Sequence, residues 1–134
     1  MRKPRPRQNV NNIQRTEAFI SAWERCDIDA IIRAVANDIF YHYIMMAMII
    51  GAEALRAFEM TLLTGAEHVE WEMHHIAESN HGAVLTERTD RFRLANGKSV
   101  TIRVMGTFEF DGNGKLKQWR DYFDFAEFES QMAS

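Results

Sequence analysis

The sequence predicts an α+β fold in which a curved, mixed or antiparallel sheet lies over N-terminal helices, and two observations lead to this class. In the first half of the chain, apolar residues recur at helical spacing. In the second half, four strand-like runs follow one another, and two of their three connections contain Asn-Gly or Asp-Gly, which are typical of hairpins. A sheet of this kind, packed on helices, leaves a deep pocket between its concave face and the helices.

Three helices are predicted before these strands. The first spans 12–26, because its apolar residues repeat at helical intervals. Asp27 is a typical N-cap for a second helix from Ile28 to about Ala36. Gly51 opens a third helix that continues to about Leu63, and Gly65 is suited to the position that ends it.

Five strands and a short C-terminal helical turn complete the prediction. An aromatic-rich strand is expected from Ile39 to Tyr43, between the second and third helices. The helical turn is expected from Phe125 to Met132. The four later strands should form an antiparallel meander and are predicted at 67–77, 83–94, 99–110 and 115–124.

The composition indicates one domain of ordinary globular type. The chain has 134 residues, of which 46% are hydrophobic and 26% charged. Residues 1–9 are expected to be a disordered basic arm, because the first eight hold four of the 16 basic residues and both prolines. Residues 10–134 are expected to form the single domain. The net charge of −3 gives no reason to expect a nucleic-acid partner.

The sequence also bears on the compartment. No apolar segment of the kind found in secretion signals follows the basic arm. The longest apolar run, Ile44 to Ile50, is too short to span a bilayer. Cys26 is the single cysteine, which excludes an internal disulfide and fits a reducing compartment. We therefore expect a cytoplasmic protein without a membrane partner.

Three charged residues occupy apolar faces of the predicted strands. Successive side chains of a strand alternate between its two faces. Arg88 and Asp90 therefore share a face with Val84 and Phe92, and Asp121 lies on the apolar face of the last strand. Because an unpaired buried charge is very costly, these groups should be paired with one another or used in chemistry.

Such a cluster is suited to acid–base chemistry. With both aspartates ionised it has a net charge of −1 in an apolar cavity, and one bound proton neutralises it. Repulsion and desolvation both raise the pKa of one carboxyl group, so the expected resting state has one protonated and one ionised aspartate. This state provides a general acid and a general base. A structural Arg–Asp ion pair with a separately satisfied aspartate is the alternative that the pattern leaves open.

Four segments of the chain resemble the limonene-1,2-epoxide hydrolase family. They are Tyr-His-Tyr-Ile at 41–44, Leu-Thr-Glu-Arg-Thr-Asp at 85–90, Val-Met-Gly-Thr-Phe at 104–108 and Trp-Arg-Asp-Tyr-Phe-Asp at 119–124. The resemblance extends from about Asn12 to Phe128. It implies the cone-shaped NTF2-like α+β fold, in agreement with the fold class expected from periodicity, and it implies a homodimer.

The resemblance also implies a reaction and assigns residues to it. Asp121 would deprotonate a water molecule, and protonated Asp90 would donate to the oxygen of a small cyclic or terpene-like epoxide. Arg88 would bridge the two carboxyl groups, and Tyr41 would hold the water. The product would be a vicinal diol, formed without a metal, an organic cofactor or a covalent intermediate.

The chain departs from the family beside the water site. The family usually has an asparagine two residues after the tyrosine that holds the water, and this chain has Tyr43. Tyrosine offers one hydroxyl on a large ring, whereas asparagine offers a carbonyl and an amide. The next segment, 44–50, is an apolar loop rich in methionine, so it should line a pocket, be buried in a subunit contact or be a liability. Methionine suits the wall of a reshaped pocket, either divergent or engineered.

Eight apolar residues are candidates for the pocket wall, although plain core packing is an equally good interpretation for most of them. A metal site is not expected, because the neighbouring histidines His74 and His75 point to opposite faces of a strand. Two other functions remain open: a non-catalytic binder of an apolar ligand, and an isomerase of the ketosteroid isomerase type. The candidate wall residues are Trp23, Met45, Met48, Leu62, Trp71, Ile102, Val104 and Phe123.

Overall fold

The computed structural model of the protein describes residues 10–43 and 48–133. The predicted basic arm, 1–9, and the part of the methionine-rich segment that contains Met45 lie outside the described residues, as does the side chain of Tyr43. Four helices and six strands follow one another in the order α1 Asn12–Glu24, α2 Ile28–Ala34, β1 Val35–Tyr43, β2 Met48–Ile50, α3 Ala52–Leu63, β3 His68–Glu78, β4 Val84–Arg93, β5 Ser99–Phe110, β6 Leu116–Tyr122 and α4 Phe125–Ala133.

The strands form one six-stranded sheet in the order β2-β1-β6-β5-β4-β3. Strands β3 to β6 make the antiparallel meander that the hairpin signals predict. Strand β1 joins this meander in parallel beside β6, and β2 adds to β1 in antiparallel fashion. The α+β class and the curved, mixed sheet are thus confirmed.

The first two helices start at the residues expected from the sequence, and each start is capped by a side chain. Asn11 and Gln14 form a reciprocal capping box at the start of α1. The carboxylate of Asp27 accepts a hydrogen bond from the Ala30 amide at the start of α2. Gly65 has a φ of +75° just after α3, a left-handed conformation that a residue without Cβ adopts at little cost.

Three segments differ from the sequence-based expectation. Ala36 was expected in α2 but lies in β1, because the strand already starts at Val35, which pairs with Leu116 of β6; regular pairing resumes at Phe40 after an irregularity. The segment from Met48 to Ile50 was expected in a loop but forms β2, whose pairing with β1 satisfies backbone groups that an apolar loop would leave unpaired. The C-terminal turn is a helix of nine residues, α4.

The core lies between the helices and the concave face of the sheet. Aromatic rings from α1, β5 and β6 meet there: Phe19 packs edge-on against Trp119, with ring centroids 5.1 Å apart, and Phe108 stacks on the same indole at 5.7 Å. The opposite face is solvated, as expected: it carries ion pairs such as Arg103–Glu87 at 2.6 Å, and Leu85, Met105 and Tyr122 are exposed there. Within the described residues, no helix is long and apolar enough to cross a membrane.

One acidic side chain is buried in this core away from the charged cluster. Glu59 of α3 is 0% exposed, and neither of its carboxylate oxygens has a hydrogen-bond partner among the described residues. Desolvation raises the pKa of Glu59 from 4.5 to about 8, and the charge of Arg56 offsets this only in part. Glu59 is therefore neutral in the folded protein over a pH range in which the unfolded chain ionises it.

This difference predicts a pH-dependent stability. The folded pKa is raised, so the contribution of Glu59 is most favourable below pH 4.5 and is lost as the pH rises towards 8, by up to about 1.4 kcal/mol per pH unit. Denaturant unfolding of Glu59→Gln over this range should show a smaller decline in the free energy of unfolding than wild type. Exposed Glu53 of the same helix provides the control, Glu53→Gln, which should decline as wild type does. Equal slopes for Glu59→Gln and wild type would contradict the prediction.

Candidate active site

The three charged residues come together through the order of the strands. Arg88 and Asp90 lie on β4, Asp121 lies on β6, and β5 runs between these two strands. On β5, Gly106 is paired with Thr86 on one side and with Asp121 on the other. Because Gly106 has no side chain, the guanidinium group of Arg88 can extend across β5 to the carboxylate on β6.

Arg88 is 0% exposed and is surrounded by acceptors. Its Nε and Nη2 donate to the two carboxylate oxygens of Asp90 at 2.8 and 3.2 Å. Nη2 also donates to Oδ1 of Asp121 at 2.9 Å, and Nη1 donates to the hydroxyl of Thr86 at 3.0 Å. The guanidinium carbon lies 4.4 Å from the ring centroid of Trp71, a cation–π distance. These contacts compensate for the desolvation of the charge.

Asp121 receives two further hydrogen bonds. The hydroxyl of Tyr41 donates to Oδ2 at 3.2 Å, and the indole N–H of Trp119 donates to Oδ1 at 3.0 Å. Tyr41 and Trp119 are register partners on the parallel strands β1 and β6, and their rings stack at 3.8 Å. Together with Arg88, these donors hold Asp121 as a hydrogen-bond acceptor.

The environment of Asp90 is different. Desolvation by burial raises its pKa from 3.8 to about 7, although the charge and the hydrogen bonds of Arg88 act in the opposite direction. The negative charges of Asp121 and Glu24 add to the increase. Burial by itself would lower the pKa of Arg88, but the two carboxylates raise it above its ordinary value, so the arginine remains charged. One proton is therefore readily held at Asp90.

Both carboxyl groups open onto a cavity of about 110 Å³ with mainly apolar walls. Six of the eight wall candidates line this cavity together with Tyr41, Asp90 and Asp121. Three further wall residues were not anticipated: Phe58 on α3, Phe92 on β4 and Phe128 on α4. The six candidates are Trp23, Leu62, Trp71, Ile102, Val104 and Phe123.

The prediction for Met48 is corrected by the structure. Met48 was expected in the pocket wall as part of an apolar loop, but it lies on the edge strand β2 and is 55% exposed. Because strand residues alternate between faces, Ile49 points inward instead and is buried. Met45 lies outside the described residues.

Three residues that support the cluster were not singled out as site residues from the sequence. Thr86 accepts from Arg88 and donates to the carbonyl of Gly106 at 3.2 Å. A signal was present in each case: Thr86 and Gly106 are polar or small residues on the inward phase of apolar strands, and Trp119 precedes Asp121 by two residues on the same face. Their contacts depend on the register between strands, and the alternation of inward and outward residues along one strand does not predict that register.

The histidines lie apart from this site. Nε2 of His74 is 2.7 Å from the hydroxyl of Thr89, whose neighbours on β4, Arg88 and Asp90, face the opposite side of the sheet. His68 lies beside Glu70 on the same strand at 3.5 Å. Over the described ranges, 10–43 and 48–133, His, Cys, Asp and Glu residues form no group of three or more that could hold a metal ion.

The fold is the NTF2-like α+β fold, with a pocket on the concave side of its sheet. Solved structures at low identity share this fold. One is a candidate SnoaL-like polyketide cyclase from Shewanella denitrificans, with 18% identity, a TM-score of 0.80 and coverage of 91% of this chain and 96% of the other. Another is an NTF2-like protein of unknown function from Burkholderia pseudomallei, with 22% identity, a TM-score of 0.76 and coverage of 94% and 100%.

The family is more specific than the fold. The model of the limonene-1,2-epoxide hydrolase catalytic domain matches residues 10–134, and the chain belongs to this family. The structure of an LEH-like epoxide hydrolase from Mycobacterium tuberculosis is similar, with 30% identity, a TM-score of 0.78 and coverage of 91% of this chain and 89% of the other. The resemblance found in the four sequence segments is thereby confirmed.

The close approach at Gly106 predicts that this position tolerates no side chain. A Cβ there would clash with Oδ1 of Asp121 and lie 2.7 Å from Nη1 of Arg88. Gly106→Ala should therefore destabilise the protein by roughly 1–3 kcal/mol, as overpacking does. Thermal or denaturant unfolding measures this change. Gly112→Ala is a matched control, because a Cβ there meets nothing within 4 Å and should change the free energy of unfolding little. Equal stabilities of the two variants would contradict the proposed clash.

Proposed function

We propose that this protein is an epoxide hydrolase that adds water to a small, largely apolar epoxide in one step and releases a vicinal diol. The observation that supports this most strongly is the asymmetry of the two carboxyl groups that Arg88 joins. Asp90 holds a proton near neutral pH, whereas Asp121 accepts hydrogen bonds from Arg88, Tyr41 and Trp119. Membership of the limonene-1,2-epoxide hydrolase family supports the same reaction class.

Asp121 is the proposed base. A water molecule beside its Oδ2 and the hydroxyl of Tyr41 would lose a proton to the carboxylate while its oxygen attacks one carbon of the epoxide ring. Arg88 and Trp119 both donate to Oδ1, so they fix the carboxylate and leave Oδ2 for Tyr41 and the water. Tyr41 thus has the position expected for a residue that orients the nucleophile.

Asp90 is the proposed acid. The ring C–O bond breaks as the C–O bond to water forms, and the departing oxygen would otherwise become an alkoxide, which is a poor leaving group. Proton transfer from Asp90 to that oxygen gives the second hydroxyl of the diol. The cycle leaves Asp90 ionised and Asp121 protonated, and one proton returned from Asp121 to Asp90, directly or through solvent, restores the resting state. Arg88 contacts both carboxyl groups in either state and keeps its charge.

The pocket wall is consistent with an apolar substrate. Aromatic and aliphatic side chains from α1, α3, β3, β5 and α4 surround the two carboxyl groups. An apolar wall desolvates the reacting groups and strengthens the electrostatic contribution of the cluster. The side chain of Tyr43, at the position of the usual asparagine, lies outside the described residues, and the proposed water position rests on Tyr41 and Asp121.

Replacement of the base should abolish turnover without unfolding the protein. We expect Asp121→Asn to lower kcat by at least roughly 100-fold, since general-base catalysis typically contributes this much. Asp124→Asn changes an exposed carboxylate three residues away and should retain wild-type turnover. Wild-type enzyme in ¹⁸O-labelled water should place the label in the diol and none in the protein, even in a single turnover.

Other results of this experiment would favour other functions. Label in the protein would indicate a covalent intermediate and contradict direct attack by water. A ligand-induced increase in melting temperature without turnover of any epoxide would indicate a non-catalytic binder. Conversion of an unsaturated ketosteroid without hydrolysis of epoxides would indicate an isomerase.

The raised pKa of Asp90 predicts an alkaline decline in activity. The acid must be protonated to act, and the protonated fraction falls tenfold per pH unit above a pKa of about 7. A plot of log kcat/KM against pH should therefore bend downward near pH 7 and approach a slope of −1. Asp90→Asn should lower the rate and remove this bend. A wild-type rate that rises between pH 7 and 9 would contradict the role of Asp90.

A further inference from the structure

One side of the pocket wall is formed by residues that are only partly buried. Seven of the residues that line the cavity, among them Asp90 and Asp121, are buried, whereas the other five are partly exposed to water. The five are Phe58 and Leu62 of α3, Phe92 of β4, Phe128 of α4 and Phe123, which precedes α4. This pattern places the mouth of the cavity among these five residues, with α4 at its border.

Helix α4 is more weakly anchored than the other three helices. None of its nine residues is fully buried, whereas α1, α2 and α3 each bury at least one residue. Its principal packing partner is β5, where Phe128 and Met132 contact the cluster of Val100, Ile102 and Val104. An element with few buried apolar contacts opens locally at a lower free-energy cost than the core does.

Helix α4 takes the place of a strand beside the first part of β5. The pairing of β5 with β6 starts at Met105, opposite Tyr122, and the chain leaves the sheet after Tyr122 to form α4. Strand β5 itself begins at Ser99, so its first residues extend beyond β6. Backbone groups on the edge that β6 leaves uncovered need another partner.

Gln131 near the end of α4 provides that partner. Its Oε1 accepts from the N–H of Thr101 at 2.6 Å, and its Nε2 donates to the carbonyl of Thr101 at 2.9 Å. One amide side chain thus makes the reciprocal pair that a neighbouring strand would make. Nζ of Lys98 also donates to the carbonyl of Met132. These contacts fasten the last turn of α4 to β5, whereas its first turn is continuous with the chain leaving β6.

We propose that α4 is a hinged lid at the mouth of the pocket and that Gln131 is the positioning residue that holds it closed. While the Gln131–Thr101 pair is formed, Phe128 completes the wall. When the pair opens, α4 turns about Phe123 and Asp124, and the mouth widens so that a ligand can enter or leave. A lid acts on any ligand of this cavity, so the inference does not depend on the epoxide chemistry proposed above.

Quenching of tryptophan fluorescence by acrylamide measures the opening of the lid. All three tryptophans of the chain are at most 5% exposed, and Trp23 and Trp71 line the cavity. Acrylamide is a small neutral molecule that reaches these rings more often when the mouth is open. Gln131→Leu keeps a side chain of similar size and removes both hydrogen bonds to Thr101. We expect the bimolecular quenching constant to rise by roughly three- to tenfold, because the loss of two exposed hydrogen bonds increases the open population.

Gln118→Leu is the matched control. Gln118 lies on the outer face of β6, and its side chain accepts a hydrogen bond from Arg120 rather than from the strand edge beside α4. This variant should keep the wild-type quenching constant. Equal constants in wild type and Gln131→Leu would overturn the inference, because the glutamine would then not hold α4 closed. An equal rise in both variants would overturn it as well, because it would indicate a general loosening of the fold.

Native-state hydrogen exchange tests the lid in the wild-type protein and so decides the matter even if Gln131→Leu does not fold. The Thr101 N–H is bonded to α4, and the Phe128 N–H donates to the carbonyl of Asp124 at 3.1 Å within it. Both amides should exchange through one opening that needs less free energy than exchange of the β4–β5 ladder. A Thr101 amide that exchanges together with that ladder, or separately from α4, would overturn the inference, whether or not any epoxide is hydrolysed.

Discussion

The structure depends on one buried cation. Arg88 is withdrawn from water in the centre of the sheet, and an arginine in that position is tolerated only if acceptors surround it. Asp90 and Asp121 supply opposite charge from β4 and β6, and Thr86 supplies a neutral acceptor. Each carboxyl group accepts hydrogen bonds from the buried guanidinium group, so the same contacts that provide acid–base groups also hold the centre of the sheet together.

The order of the strands determines whether this cation can be paired. Strand β5 separates β4 from β6, and the guanidinium group crosses it only at Gly106. The parallel strand β1 then brings the Tyr41 hydroxyl to the other oxygen of Asp121. Strands β4 and β1, which are distant in sequence, thus contact the same carboxylate: Arg88 of β4 donates to Oδ1 of Asp121, and Tyr41 of β1 donates to Oδ2. This arrangement is what gives the two aspartates unequal environments.

Much of this could be predicted from the sequence, because alternation along a strand is a local property. It placed Arg88, Asp90 and Asp121 on the inward face, and the turn signals placed the meander. Contacts that depend on register between strands could not be predicted in the same way. The passage at Gly106 requires β4, β5 and β6 in one particular alignment. Alternation repeats every two residues, so by itself it excludes a shift of one residue between strands but does not exclude a shift of two.

The segment after Tyr43 is a second case in which the sequence did not predict the tertiary contact. Its apolar character predicted a pocket wall, but the edge of the sheet competes for such residues, and Met48 lies in β2 with its side chain exposed. The wall is instead completed by Phe128 from α4, a helix that looked in the sequence like a single terminal turn. Tertiary packing decides such cases, because short apolar segments satisfy several local structures equally well.

The strands carry the charged cluster, whereas the helices carry part of the pocket wall, and this separation affects how the protein can evolve. The charged groups and the residues that hold them come from β1, β4, β5 and β6, which brace one another through the ladder of backbone hydrogen bonds. Trp23, Leu62 and Phe128, by contrast, reach the cavity from three separate helices that contribute no member of the charged cluster. Substitutions in one helix can therefore change the shape of the cavity while the acid–base residues stay the same. Related proteins can diverge in the ligands that they bind before they diverge in the reaction that they catalyse.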